Sequence, residues 1–169
     1  MGQQQLLLVI LVTIIVGIAT VVAINIFGTA ADQANRDAVR QDLMGAAVQA
    51  QAIWSRPQLM GGADRNFQGT WIDDNEITQR LSIPGTITTN TVSNENGVYT
   101  VTATAQAILR VSAAPSSSPS DLMIMDVEFQ PACSAWLIQI EDQATGQTSE
   151  SGRCAAGGGG DGGGGEGGT

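Results

Sequence analysis

The apolar residues of this chain keep a helical spacing to about residue 55 and a spacing of two beyond residue 84. Over residues 6–24, LLLVILVTIIVGIATVVAI, the helix is apolar on all sides and is broken only by Thr13, Gly17 and Thr20. Such a run is near the ~20 residues that cross a bilayer core as a helix. The three small or hydroxylated residues stand four and three apart, so they share one face, along which a second helix can approach closely. From Thr29 the helical period continues with different chemistry. Val39, Leu43, Ala46/Ala47, Ala50 and Ile53/Trp54 recur at three- and four-residue steps and predict one buried stripe. Asp32 stands four residues before Arg36 and Asp37 three before Arg40, the order that favours pairs along the helix. Gly28 and Gly45 each weaken the helix by ~1 kcal/mol relative to alanine, and Arg56-Pro57 ends it. One helix over residues 3–55 would be roughly 80 Å long at 1.5 Å per residue. A head of ~120 residues cannot cover all of it, so much of the helix must project.

Residues 57–70 read as a loop. Asp73-Asp74-Asn75-Glu76 then opens a short helix ending near Leu81, with Asp73 and Glu76 at capping-box spacing. The same four side chains could suggest calcium, but their spacing matches no calcium loop. After Pro84, GTITTNTVS and VYTVTATA flank a turn at Asn94-Glu95-Asn96-Gly97 and predict a hairpin. AILRVSA, LMIMDVEFQ and SAWLIQIED read as three further strands, with AAPSSSPSD as an exposed loop between the first two. The last strand leads into a turn at Ala144-Thr145-Gly146. The expected class is α+β, a long helix whose amphipathic half backs an antiparallel meander of four or five strands. The chain divides into an apolar helix (1–28), the amphipathic half of the same helix (29–56), a β-rich head (57–156) and a glycine-rich tail (157–169).

Composition narrows the chemistry. Sixteen acids face seven basic residues, all of them arginine, for a net charge of −9. That balance argues against a nucleic-acid partner, which needs a basic patch, and against attraction to anionic lipid headgroups. Histidine is absent, which removes the commonest general base and transition-metal ligand. No catalytic residue, cofactor site or metal site is therefore expected. Asp73/Asp74 or Asp126/Glu128 could pair as acids, but the second pair lies two apart on the polar side of a strand, where a solvated surface explains it. Seven aromatic rings, one of them in the apolar helix, make no continuous path for electrons. Cys133 and Cys154 enclose twenty residues and read as a disulfide in a non-cytosolic domain. Arg36 and Arg40 beyond the apolar run would weakly favour a cytoplasmic head. Asp32, Asp37 and Asp42 stand among them, however, and the disulfide favours export.

An apolar N-terminal helix running into an amphipathic stem, an antiparallel sheet and a C-terminal disulfide loop resembles a type IV pilin. The resemblance covers residues 1–154. It implies storage in the inner membrane, processing by a prepilin peptidase, and polymerisation by the pilus assembly machinery. Bundled helices would form the filament core, through Gln5, Leu6, Leu7, Leu8, Thr13, Gly17, Thr20 and Ile24, and the disulfide loop would lie on the rim. The family is cut after a glycine that follows basic residues. Here Gly2-Gln3 offers that bond without a basic leader; the alternative is a leader already removed, with Met1 as the mature terminus. Where most pilins carry a glutamate near the mature terminus, this chain has Gln5, or Leu7 under the other cut. The proline usual near the lipid exit is missing too, so Asn25 and Gly28 are the places left for a bend.

The expected function is the major subunit of an extracellular filament used in adhesion, motility or surface attachment, its chief partner being itself. The alternatives are a secretion-system pseudopilin or minor pilin, or a membrane-anchored envelope binding protein. Two finer expectations concern the surface. Ser116, Ser117, Ser118 and Ser120, beside Pro115 and Pro119, have the composition of an O-glycan stretch. The tail, with Asp161 and Glu166 among its glycines, reads either as a mobile tail or as an assembly element held by a partner's backbone hydrogen bonds, since ordering glycine backbone is costly without one.

Overall fold

The computed structural model describes residues 2–154. A single helix, α1 (Gly2–Ser55), runs through Asn25 and Gly28 without interruption. Its buried residues are Val39, Leu43, Ala46, Ala47, Ala50, Ile53 and Trp54, the stripe that the three-and-four spacing requires. Coverage begins later than residue 29, however: the helix is exposed to Ala34, apart from a half-buried Ala23, and meets the head from Asn35 onward.

The chain leaves α1 by folding back on its end. The Ala63 and Arg65 amides donate to the carbonyls of Ile53 and Trp54 at 2.9 and 3.0 Å, satisfying groups that a helix C-terminus leaves open. Asp64 and Arg65 take positive φ, 46° and 64°, to make that reversal. A 3₁₀ turn (Gln58–Met60) and a short helix, α2 (Asp74–Arg80), complete the connection. Asp73 caps α2 by accepting from the Glu76 amide at 2.7 Å, the forward half of the capping box. The Asp74 carboxylate accepts from the Ala103 amide at 2.9 Å and joins α2 to the sheet.

Seven antiparallel strands follow in simple meander order: β1 (Thr86–Thr88), β2 (Thr91–Ser93), β3 (Gly97–Ala105), β4 (Ile108–Pro115), β5 (Met123–Gln130), β6 (Ala135–Asp142) and β7 (Gln147–Ser151). This is the α+β architecture that the sequence implies, with more strands than the four or five expected. One extra strand arises because GTITTNTVS folds on itself at Thr89-Asn90, where Thr89 has φ 56°. The other is β7, whose five residues are all exposed and therefore carry no alternation. Strand β4 also extends through Ala113, Ala114 and Pro115, so the serine-rich loop starts at Ser116 rather than Ala113.

Alternation builds the core. Tyr99 and Val101 of β3, Leu109, Val111 and Ala113 of β4, and Met123, Met125 and Val127 of β5 all face α1 and are fully buried. At the end of α1, Trp54 meets Phe67, Phe129 and Trp136 with ring centroids 5.0, 5.7 and 5.8 Å away.

Two carboxylates pin the helix where it enters the head. Asp42 Oδ2 accepts from the Tyr99 hydroxyl at 2.6 Å, from Asn96 Nδ2 at 2.9 Å and from Asn94 Nδ2 at 3.2 Å. Asp142, at the end of β6 and 1% exposed, receives Arg36 at 2.9 Å and Arg40 at 3.2 Å. Arg36 also reaches Asp121 at 3.1 Å. The intrahelical pairing read from the sequence is thus corrected. Arg36 pairs with the sheet rather than with Asp32, because a half-buried guanidinium gains more from an acid already desolvated. Arg40 keeps only a 4.0 Å approach to Asp37.

Two outcomes test this seam. Asp142→Ala removes the buried acceptor that Arg36 and Arg40 share, leaving Arg36 only the half-exposed Asp121, and should destabilise the detergent-held chain by about 3 kcal/mol in chemical denaturation. Arg40→Ala, with its half-exposed side chain, should cost about 1 kcal/mol or less. Burial, then the hydrogen bond to Asp42 and that carboxylate's charge, push the Tyr99 phenol above its ordinary value, against smaller lowering by Asn94 and Asn96. The fold favours the neutral phenol. Its contribution is intact below the usual tyrosine value of about 10 and is lost as the pH rises above it. The thermal midpoint should fall above that pH, and Tyr99→Phe should flatten the fall; an unchanged slope in the variant would assign the effect elsewhere.

Candidate functional site

The surface that distinguishes this molecule is the uncovered half of α1. Leu6, Leu7, Leu8 and Ile24 are 64, 68, 63 and 65% exposed. The helix has a stretch long and apolar enough to cross a membrane, and none of that stretch is buried among the described residues. Roughly 33 uncovered residues project for about 50 Å. Every backbone group inside a helix is already paired, so over residues 6–24 the projection offers apolar side chains to its surroundings, interrupted only by Thr13, Gly17 and Thr20. The hydroxyls agree with this. Thr13 Oγ1 donates to the Ile10 carbonyl and Thr20 Oγ1 to the Val16 carbonyl, both at 2.8 Å. Thr29 Oγ1 donates to the carbonyls of Ile26 and Asn25, at 3.0 and 3.3 Å. A hydroxyl satisfied by its own helix enters lipid or a helix interface without leaving a polar group unmet.

Thr13, Gly17 and Thr20 share the expected face, and among the described residues nothing lies within 4 Å of a Cβ built on Gly17. Gly2, Gln3 and Gln5 belong to the first turns of the same helix, so the candidate cleavage bond lies in helical backbone.

At the far side of the head, Cys133 and Cys154 form a disulfide, with Cα atoms 6.1 Å apart. Cys133 lies in the turn between β5 and β6, and Cys154 follows β7. The bond therefore ties the exposed edge strand back to its neighbours, as the sequence implies. The Cys154 amide also donates to Gln130 Oε1 at 2.9 Å.

The serine stretch is less free than its composition implies. Asn35 Nδ2 donates to Ser116 Oγ at 3.2 Å, and the Ser117 amide donates to Asn35 Oδ1 at 3.3 Å, fastening the loop to α1. Ser118 is half-buried, whereas Ser117 and Ser120 are exposed. The polar side of the sheet pairs internally: Arg110 forms a two-pronged contact with Asp126 directly opposite, at 2.7 Å for both prongs. The expected role of the tail, 157–169, falls outside the described residues.

Sequence reading missed the pins at Asp42, Asp142, Asp121 and Asn35. For Asp142 a signal existed. It falls in phase with Trp136, Ile138 and Ile140 on the core side of β6, and an acid in that register needs a partner. For Asp121 and Asn35 there was none. Comparison with known proteins gives no match to any family, characterised relative or solved structure.

The disulfide closes a loop of twenty residues and by loop entropy contributes roughly 3 kcal/mol. Replacing both cysteines by serine should speed hydrogen exchange in β7 and the turn before it, while β3–β5 stay protected. Uniform loss of protection would show instead that the bond holds the whole head.

Proposed function

We propose that this chain is the major structural subunit of an extracellular filament of the type IV pilus kind. It would be held in a membrane before assembly and polymerise with copies of itself. One observation carries the reading: a single unbroken helix is sealed against a sheet along its second half and left wholly uncovered, and apolar, along its first. In water, 19 such residues forfeit on the order of 20 kcal/mol of burial, so a cover is required. Lipid supplies it before assembly, and neighbouring helices supply it in a polymer. A membrane-anchored binding protein would need the first cover alone, but it would not need the small-residue face of Thr13, Gly17 and Thr20 along the span. Disulfide and rim would then face outward, as expected of an exported head.

Electron microscopy of material sheared from cells that make the protein tests this. Filaments that vanish on deletion of the gene are expected; surface material without them, with the protein remaining in the membrane, would reject the reading. Gly17→Leu adds bulk where the single chain has open space, so the head should fold normally while filament yield or helical spacing changes. Val12→Leu should alter either far less. Intact-mass measurement of the filament protein separately checks the serine loop. A mass above that of the processed polypeptide with its disulfide is expected for a glycan at Ser117 or Ser120.

A further inference from the structure

Beyond the end of α1 lies an open cleft of about 360 Å³ between the 3₁₀ turn, Trp71 and α2. That volume falls at the small end of small-molecule sites, which run from about 300 to 1,000 Å³. Part of its lining is bare backbone, at Gly61 and Gly62. Gly62 lies so close to the Arg56 carbonyl that a Cβ would collide with it. Trp71 lines the cleft as well. Its indole packs on Gly69, where an added Cβ would come within 2.6 Å of the ring. The ring is nevertheless 38% exposed, although an indole is among the largest apolar surfaces a chain can bury. Leu59, 99% exposed, completes the apolar part of the rim.

The guanidinium in this cleft is turned away from its nearest acid. Glu76 and Arg80 stand four apart on α2 with the acid first, the spacing and order that favour an ion pair. No ion pair forms between them. Arg80 lies instead against Gly61, whose missing Cβ makes room for both terminal nitrogens. The side chain is half-buried there, and a guanidinium drawn out of water gains most from a planar, charged acceptor. Arg36, Arg40, Arg110 and Arg153 all have such acids within the chain. Arg56, Arg65 and Arg80 make no ion pair among the described residues, and Arg56 and Arg65 flank the turn that carries Gly61. Two other acids near this end are committed: Asp73 caps α2 and Asp74 holds the Ala103 amide.

We propose that this cleft binds an acidic sugar, a pyranose ring carrying one carboxylate. The carboxylate accepts two parallel hydrogen bonds from the Arg80 guanidinium, whose planar fork matches it. The C–H face of the ring packs on the exposed indole, a flat apolar surface already held in place by Gly69. Gln58 and Glu76, which also line the cleft, serve the ring hydroxyls: the amide donates and accepts, and the carboxylate accepts. Glu76 selects as well. Its negative charge beside the guanidinium disfavours a dianion such as phosphate more than a monoanion. The net charge of −9 repels acidic sugars at long range, and Arg56 and Arg65 offset that repulsion locally. The site belongs to the head and not to the projecting half of α1, so it stands independently of polymerisation.

The test is an NMR titration of the full-length chain in neutral detergent, following the Gly61 and Gly62 amides and the Trp71 indole N–H. The probes are D-glucuronate, N-acetylneuraminate, D-glucose and inorganic phosphate, each alone. At least one acidic sugar should shift these resonances and bind about tenfold more tightly than glucose or phosphate. Arg80→Gln and Trp71→Ala should each weaken that binding about tenfold. Trp71→Phe should keep most of it, and Arg110→Gln, whose partner is Asp126 on the sheet, should change nothing. An unchanged melting temperature shows that the variants fold; should Arg80→Gln lower it, Arg80→Lys keeps the charge without the fork and should show an intermediate loss. Phosphate binding as tightly as the sugars, or sugar binding that survives Trp71→Ala, would reduce the cleft to an unselective anion hook and overturn the assignment. Glucose binding as tightly as the acidic sugars, or neither acidic sugar binding, would overturn it too. Filament formation is read separately and is untouched by any of these outcomes.

Discussion

The rest of the structure follows from one helix being far longer than the sheet that covers it. A strand of eight or nine residues spans about 30 Å, and seven strands side by side span about the same. The 54 residues of α1 extend roughly 80 Å. No arrangement of this head could bury more than a fraction of that length. The chain responds by giving the covered part a stripe with a defined facing side, and by making residues 6–24 of the uncovered part apolar all round. The projection costs apolar hydration alone, because its backbone is internally paired. That term is removed by lipid or by another apolar helix, and by nothing in the head.

Apolar packing by itself leaves the helix free to slide. A shift of one turn moves Leu43 into the place of Val39 and Ala50 into that of Ala46 or Ala47, at modest loss. Polar contacts at the lower end of the seam remove this freedom. Asp42 gathers donors from Tyr99, Asn94 and Asn96, while Arg36 and Arg40 close on Asp142. Each of these groups would be desolvated without its partner in a slipped register, and stranded buried polar groups are far more costly than lost methylene contacts. The stripe selects the face of α1; the acids fix its position along the axis.

This division also explains what was legible in the sequence. The stripe from Val39 to Trp54, the capping residue Asp73, strands β3–β6 and the cysteine pair all carry local signals: period, cap spacing, alternation, compartment. β7 did not, because Gln147–Ser151 pairs on one edge with both faces in water, and no burial imposes alternation there. The split of β1 from β2 depends on Thr89 adopting left-handed backbone, which threonine rarely signals. Helical spacing pairs Arg36 with Asp32 because it can see only partners on its own helix. Asp142 is 106 residues away in sequence, and the meander brings it there. Of the candidate site, the apolar half and its small-residue face were readable in full, whereas the lock that makes the rest of the helix rigid was a tertiary fact.

The lock has a mechanical consequence for the projecting half. Between Asn35 and Trp54 the helix is held by the sheet, so any bend of α1 must fall outside the head. The softest place there is the stretch around Asn25 and Gly28. Glycine adds backbone freedom at Gly28, and Thr29 bonds back to the carbonyls of both Asn25 and Ile26, competing with the helix ladder for its acceptors. The charged turn begins only at Asp32, so this soft stretch is flanked by uncharged residues on both sides and can be covered by lipid or helix in either conformation. With no proline anywhere in it, α1 can thus remain one unbroken helix and still concentrate any melting at one place, seven residues short of its first anchor at Asn35.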